Sequence, residues 1–253
     1  MNIICIGDVV GRSGVEMVAG QLRYLKQDYD ADFVIANGEN AANRIGIDRW
    51  CADTLLEAGV DVITTGNHAF SKKAIFDLFE ENYPIIRPLN ADEKRGKGYI
   101  IKECNGIRIA VVNLLGKVFM INQNDPFKVA REIVDSIEAD MIFVDMHAEA
   151  TSEKLAIAHY LSGRATCVFG THTHVQTADE CILNGRTAFI SDIGMTGPYN
   201  SVLGVKTEIA VANFINEVPQ KHQIAEGNCK LDGIVVSAKN DGKATKITRI
   251  CIK

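Results

Sequence analysis

Ile3-Ile4-Cys5-Ile6-Gly7-Asp8, Phe33-Val34-Ile35-Ala36-Asn37-Gly38-Glu39-Asn40 and Val62-Ile63-Thr64-Thr65-Gly66-Asn67-His68 share one grammar. A short apolar run ends near a glycine, and a polar side chain follows at once. Two later stretches repeat it: Met141-Ile142-Phe143-Val144-Asp145-Met146-His147, and Thr166-Cys167-Val168-Phe169-Gly170 before His172 and His174. Continuous apolar runs of this length read as strands buried on both faces. Ligands of open α/β sheets bind beyond the carboxyl ends of the strands. Five strands therefore deliver oxygen and imidazole groups to one edge. That is enough for two metal ions, and paired metals point to hydrolysis, foremost of a phosphate ester.

The segments between the runs support a parallel sheet. A strand over 2–7 leads into a helix over about 12–28, with Val15, Val18, Leu22 and Leu25 at helical spacing. Strand 32–37 precedes a helix near 48–58, where Asp48 is a suitable N-cap. Strand 61–65 precedes a helix near 71–81, with Ser71 as its cap. This alternation is the βαβ rhythm. Strands 98–103 and 107–115 flank Cys104-Asn105-Gly106, a hairpin signal. A helix near 126–138, strand 140–146, helix 152–162 and strand 165–170 follow. Further hairpins are expected over 180–191, through Asn184-Gly185, and over 229–252, through Asn240-Asp241-Gly242. Residues 200–226 carry no clear period. No Pro- or Ser-rich linker divides the chain, so residues 1–253 are expected to form one mixed α/β domain, parallel strands dominating early and antiparallel hairpins late.

Of the 253 residues, 47% are hydrophobic and 23% charged, ordinary values for a globular protein. The net charge of −5 and the lack of a Lys/Arg run make duplex nucleic acid an unexpected partner. A small nucleotide held through cations suits an acidic chain. The seven cysteines are scattered without a C-x-x-C pair and read as reduced residues. Met1 leads straight into the first strand with no basic leader segment, and no apolar run approaches the ~20 residues of a membrane span, so a cytoplasmic protein is expected. Exposed apolar edges in the C-terminal hairpin region would permit a homo-oligomer.

Each polar residue also has a plain structural role to weigh. Asp8 suits a strand end or helix cap, Asn67 a turn, Glu39-Asn40 a solvated loop and His147 a hydrogen-bonded core position; four coincidences are needed for all to hold. Asp145, two positions before His147, suits either a strand end or support of a metal ligand. His159 and His222 read as surface residues. Arg44 reads as solvent-exposed, with reach to a phosphate as the alternative.

Gly66-Asn67-His68 and Gly170-Thr171-His172-Thr173-His174 resemble two signatures of the calcineurin-like metallophosphoesterases. That superfamily shows, in order, an aspartate after the first strand, an acidic residue after the second, G-N-H, a lone histidine, and G-H-x-H. The blocks occur here in that order over residues 8–174. Two departures narrow the match. Asp8 is followed by Val9-Val10-Gly11, without the usual first-block histidine, and the second block is Gly38-Glu39-Asn40 rather than G-D. Both departures, with Asp192-Ile193-Gly194-Met195-Thr196-Gly197-Pro198, are similar to the YmdB-like bacterial 2′,3′-cyclic-nucleotide phosphodiesterases.

The resemblance implies a four-layer αββα sandwich with mixed sheets and a dinuclear site. Carried over position by position, Glu39 bridges two metals; Asp8, Asn40 and His174 complete the first, and Asn67, His147 and His172 the second. His172 and His174 share a face in a regular strand, whereas a loop could turn them toward neighbouring ions. Asn40 would replace the missing histidine with a carbonyl oxygen. An oxygen-rich, thiolate-free set suits iron or manganese, with zinc also compatible. Two cations about 3.5–4 Å apart acidify a bridging water and clamp the phosphate. His68, beside a ligand but not one itself, is the expected general acid. The substrate implied is a 2′,3′-cyclic nucleotide, with a 3′,5′-cyclic nucleotide second. The alternatives are a phosphomonoester or phosphoprotein substrate, or a non-catalytic nucleotide- or RNA-binding regulator.

Overall fold

The computed structural model describes residues 1–43, 45–121, 124–216 and 220–253; Arg44 lies outside them. Two sheets face each other. The first contains β1 (Asn2–Ile6), β2 (Asp8–Val9), β3 (Phe33–Asn37), β4 (Val62–Thr64), β11 (Met195–Pro198), β12 (Cys229–Ala238) and β13 (Ala244–Ile252), in the order β2-β11-β12-β1-β3-β4 with β13 also on β12. The second contains β5 (Tyr99–Cys104), β6 (Ile107–Leu115), β7 (Met141–His147), β8 (Cys167–Thr171), β9 (Cys181–Leu183) and β10 (Thr187–Ile190), in the order β5-β6-β7-β8-β10-β9. Helices α1 (Gly11–Asp28), α2 (Arg49–Glu57) and α3 (Ala74–Glu80) cover the first sheet. Helices α4 (Pro126–Ser136) and α5 (Thr151–Leu161) cover the second, and α6 (Thr207–Ile215) stands near the strand ends.

The four layers follow from the two-residue period of a strand. In β1, Ile4 and Ile6 pack with Val15, Val18 and Leu22 of α1, while Ile3 and Cys5 turn inward between the sheets. In β6 and β7, Val112 and Val144 meet Ile157 and Leu161 of α5, and Val111 and Phe143 face the first sheet. Each strand thus buries one set against helices and the other against the opposite sheet. Fully burying one such aliphatic side chain is worth about 1.5–3 kcal/mol.

Most expected elements form within a residue or two of their sequence bounds, and Asp48 caps α2 by accepting from Cys51 N at 3.0 Å. One expectation is corrected. Helix α3 begins at Ala74 after Lys73, without a side-chain cap, so Ser71 caps nothing; its N–H is spent on His68 O, 3.0 Å away. Both late hairpins form, β9 with β10 and β12 with β13, beside a parallel run of β6, β7, β8 and β10. Residues 200–226, which show no period, hold α6 and a turn closed by Val202 and Val205. Cys5, Cys51 and Cys167 are buried, Cys251 is exposed, and all seven are free thiols. Among the described residues, no helix is long and apolar enough to cross a membrane.

Candidate metal centre

Five inward-facing strand patterns change from apolar to polar at the same end of the sandwich. Phe33-x-Ile35 ends in Asn37, Val62 in Thr64, Ile109-x-Val111 in Asn113, Met141-x-Phe143 in Asp145 and His147, and Cys167-x-Phe169 in Thr171. The polar ends are all buried. Parity carries them to the gap between the sheets, where they would be unstable without partners.

They satisfy one another around Asp145. Its carboxylate accepts from Asn37 Nδ2 (3.1 Å), Thr64 Oγ1 (2.5 Å) and Thr171 Oγ1 (2.7 Å). The Thr171 hydroxyl, having donated to Asp145, accepts from His147 Nδ1 at 2.8 Å. That leaves His147 Nε2 aimed at the site, where it offers a lone pair once the ring is neutral, held by a relay of the kind that orients metal-binding imidazoles. Asp145 therefore stands behind His147. Asn37, Thr64, Asn113 and Thr171 were not expected here from sequence, although their strand parity marks them. Burial pushes the Asp145 carboxyl up to about 6, against the opposing pull of His147 and the three donors.

The seven residues expected to hold metals converge in two overlapping groups. In the first, His147 Nε2 lies 2.9 Å from Asn67 Oδ1, 3.1 Å from His172 Nδ1 and 3.1 Å from Glu39 Oε1. In the second, His174 Nε2 lies 3.7 Å from Asp8 Oδ1 and 3.3 Å from the Asn40 amide, which itself reaches Glu39 Oε1 at 3.1 Å. Glu39 belongs to both. Its other oxygen accepts from His68 N at 3.0 Å, putting His68 at the rim of the same cavity. Gly66 permits this approach: a Cβ there would lie 2.3 Å from His147 Cδ2 and 2.4 Å from Glu39 Oε2.

His172 and His174 sit in a loop beyond β8, with φ of 100° and 63°. This answers the strand-or-loop question in favour of the loop. Two anchors hold the unfavourable backbone. His172 N donates to Asp8 Oδ2 (3.1 Å), and Thr173 donates through N (3.1 Å) and Oγ1 (2.7 Å) to Asp192 Oδ2. Asp192 is paired at 2.8 Å with Lys154, and both are buried.

The electrostatics call for cations. Asp8 and Glu39 are buried carboxylates, and the charge of Glu39 acts on Asp8. Burial raises the Asp8 carboxyl, and its Oδ1 has no hydrogen-bond donor; His174 Nδ1 is likewise buried and unpartnered. Burial acts to raise Glu39 as well, but His147 beside it wins and holds it at about 2. Burial would lower His147; Glu39 outweighs that and lifts it to about 9. His172 is pushed down to about 3 by burial and by His147. Two ring nitrogens 3.1 Å apart and a carboxylate oxygen without a donor are arranged as electron-pair donors to something positive. Glu39, His147 and His172 each present a ligand atom within 4.8 Å of the others. His159 is exposed on α5, as expected; His222 is exposed too but also lines the cavity.

The chain matches the model of the family described as YmdB-like protein over residues 4–250. It is 44% identical over 256 residues to the 2′,3′-cyclic-nucleotide 2′-phosphodiesterase of Bacillus subtilis (strain 168), covering 100% of this chain and 97% of that one. A solved structure described as a novel phosphatase from Mycoplasma pneumoniae superposes with a TM-score of 0.94 at 34% identity, over 100% of this chain and 93% of its own. The 5′-nucleotidase precursor of Thermus thermophilus shares the fold alone, with a TM-score of 0.62 at 11% identity over 100% of this chain and 54% of its own. On these matches, and with two mixed sheets between helical layers, the chain belongs to the YmdB-like family and has the metallophosphoesterase fold.

Proposed function

We infer that the protein is a dinuclear metal-dependent phosphodiesterase that hydrolyses 2′,3′-cyclic nucleotides, with residues 1–253 acting as one catalytic domain, since C-terminal β12 pairs with β1. The observation that carries this reading is the pair of donor groups sharing Glu39, with Asp8 Oδ1 and His174 Nδ1 buried and unsatisfied beside it. Such a donor set fits two cations and costs stability without them. Asp8, Glu39, Asn40 and His174 would hold one ion; Glu39, Asn67, His147 and His172 the other. Asn40 would turn its amide oxygen toward the ion, supplying the ligand that the first block lacks. The absence of thiolate favours iron or manganese, and zinc is compatible.

Bound there, the metals would supply positive charge to the phosphate oxygens and an acidified water as nucleophile. The protein's own part is positioning and proton transfer. The Asp145–Thr171 relay fixes the ring of His147, and the Asp192 anchor fixes the loop of His172 and His174. His68, with its backbone tied to Glu39 and its side chain in the cavity, protonates the 2′-oxygen as the P–O bond breaks. The test is turnover of 2′,3′-cyclic AMP by purified protein, with metal content measured on the same sample and His68→Ala run in parallel. Turnover with about two metals per chain is expected. A fully metallated protein that spares the cyclic diester but cleaves p-nitrophenyl phosphate would overturn the diester reading in favour of a monoesterase.

A further inference from the structure

The polar floor accounts for only one side of the cavity. The facing wall is apolar and comes from the segment that shows no period in the sequence: Val202 and Leu203 in a turn, and Phe214 on α6. Leu203 is the informative residue. Val202 and Val205 exchange backbone hydrogen bonds of 2.9 and 3.0 Å, closing a two-residue turn with φ of 53° at Leu203 and 88° at Gly204. Positive φ at both central positions favours Asn, Asp or Gly. Gly204 obeys, and a Cβ there would meet Val10 Cγ1 at 2.6 Å. Leu203 does not obey: its Cβ opposes the left-handed backbone, and the side chain is still 47% exposed. Phe214, lining the same cavity, is 85% exposed. Strained backbone and uncovered apolar surface both act against the folded state, and together they mark a surface shaped for a ligand.

We propose that Leu203 and Phe214 form the face on which the nucleobase of the substrate lies, a role that rests on the cyclic-phosphodiester reading above. The cavity measures about 390 Å³, within the roughly 300–1,000 Å³ typical of small-ligand sites. Its floor holds Glu39, His68, His172 and His174, so the phosphate lies there, and the remainder of the ester meets the wall. A flat group with apolar faces, carried by a small phosphodiester, is a nucleobase. The wall offers little to read a base edge. Asn213 lines the same cavity, but its Oδ1 accepts from Gln220 N (2.7 Å) and its Nδ2 donates to Gln220 O (3.2 Å). His222, exposed to water, is the other polar side chain on that wall among the described residues. Contact through the face of the ring tolerates every base, because each has a π surface. The enzyme thus binds purine and pyrimidine cyclic nucleotides with little discrimination.

Steady-state kinetics of the metal-loaded full chain test this, using the four 2′,3′-cyclic nucleotides and base-free glycerol 1,2-cyclic phosphate. Phe214→Ala is expected to lower the ratio of nucleotide to glycerol-phosphate kcat/KM by about 5- to 150-fold, similarly for all four bases and through KM, as loss of one stacking partner does. Phe214→Tyr keeps an aromatic face and should restore the ratio. Leu203→Asn suits the turn, so its melting temperature should equal or exceed that of the parent while its nucleotide KM rises. That split separates ligand contact from support of the fold. Wild-type turnover with every KM unmoved in both variants would overturn the proposal. So would loss of self-association in Phe214→Ala with KM unmoved, which would assign the wall to a second copy of the chain. A strong wild-type preference for one base would overturn face-only recognition. Metal-loaded protein that cleaves no cyclic phosphodiester would instead remove the reading beneath it.

Discussion

The floor and the wall of the cavity are built by opposite means. The floor side chains leave buried strand ends or a loop pinned to one, and buried polar groups stand behind them: Asp145 and Thr171 behind His147, Asp192 and Lys154 behind the His172–His174 loop. Among the described residues the wall has no such backing. Its apolar side chains stand exposed on one tight turn and one nine-residue helix. Buried polar groups are costly unless paired, so the floor's geometry is enforced by the same free energy that folds the core. Wall geometry is set by a tight turn and the few hydrogen bonds that tie it to Pro198 and Ala225. Chemistry and ligand selection should therefore separate under mutation, the floor governing metal content and kcat, the wall KM.

The largest effect should come from Glu39, the side chain shared by both donor groups. Glu39→Ala is expected to drop metal content below the wild-type stoichiometry and to cut hydrolysis of 2′,3′-cyclic AMP by more than ~10²-fold, since partners standing merely behind the ligands cost ~10–100-fold. Metal analysis and kinetics on one sample check it; full turnover in the variant would break the assignment of the floor. His68→Ala should leave metal content intact and lower kcat by ~10²–10⁴-fold. The deficit should shrink with a p-nitrophenyl ester, whose leaving group departs without a proton. Equal losses on both esters would remove His68 from the acid's role. Next in size, Thr171→Val severs Asp145 from His147 Nδ1 and should weaken metal affinity by ~10–100-fold while the sandwich still folds. Calorimetric titration of the metal-free variant measures it directly.

Protons compete with metal at this floor. Burial lowers His147, but Glu39 outweighs it, so metal-free protein keeps a proton on the ring up to about pH 9. The direction follows from that elevated value. Metal uptake below about pH 9 must expel the proton, and affinity should weaken by about tenfold for each pH unit of further acidification. Proton release, read by titrating metal in buffers of different ionisation enthalpy, should approach one per chain near neutral pH from this group. Uptake without release would mean that His147 is already neutral and that Glu39 does not govern it.

The two regions also differ in how far the sequence announces them. Asp8, Glu39, Asn67, His147, His172 and His174 each follow an apolar run, and strand periodicity alone carries them to one end of the sandwich. Parity could also have found Asn37, Thr64, Asn113 and Thr171, which share a face with Phe33, Val62, Val111 and Phe169. The grouping of donors in space comes from the pairing of β7 with β8 and the approach of two sheets, long-range facts that no local pattern holds. The wall was illegible for a different reason. Leu203 occupies a turn position where propensity favours Asn or Gly, and α6 is apolar on faces that meet water, so both contradict the rules by which elements are read. Ser71 misled in the opposite way: a good cap residue stood near a helix whose start is set by the packing of Ile75 and Leu78.

The smallest expected effect falls on a brace inside the wall. Ser201 Oγ donates to Pro198 O at 2.6 Å and accepts from Gly204 N at 2.9 Å, tying the turn to the end of β11. Ser201→Ala removes both bonds at a half-buried site where water can replace them in part, so the stability loss should be about 1 kcal/mol. Because the brace holds the backbone of Leu203 and touches none of the floor, nucleotide KM should rise slightly while metal content and the pH dependence of metal uptake stay at wild-type values. Thermal unfolding and metal analysis of the same preparation decide this. A change in metal content from so remote a hydroxyl would show that wall and floor move together, and the separation between them would have to be given up.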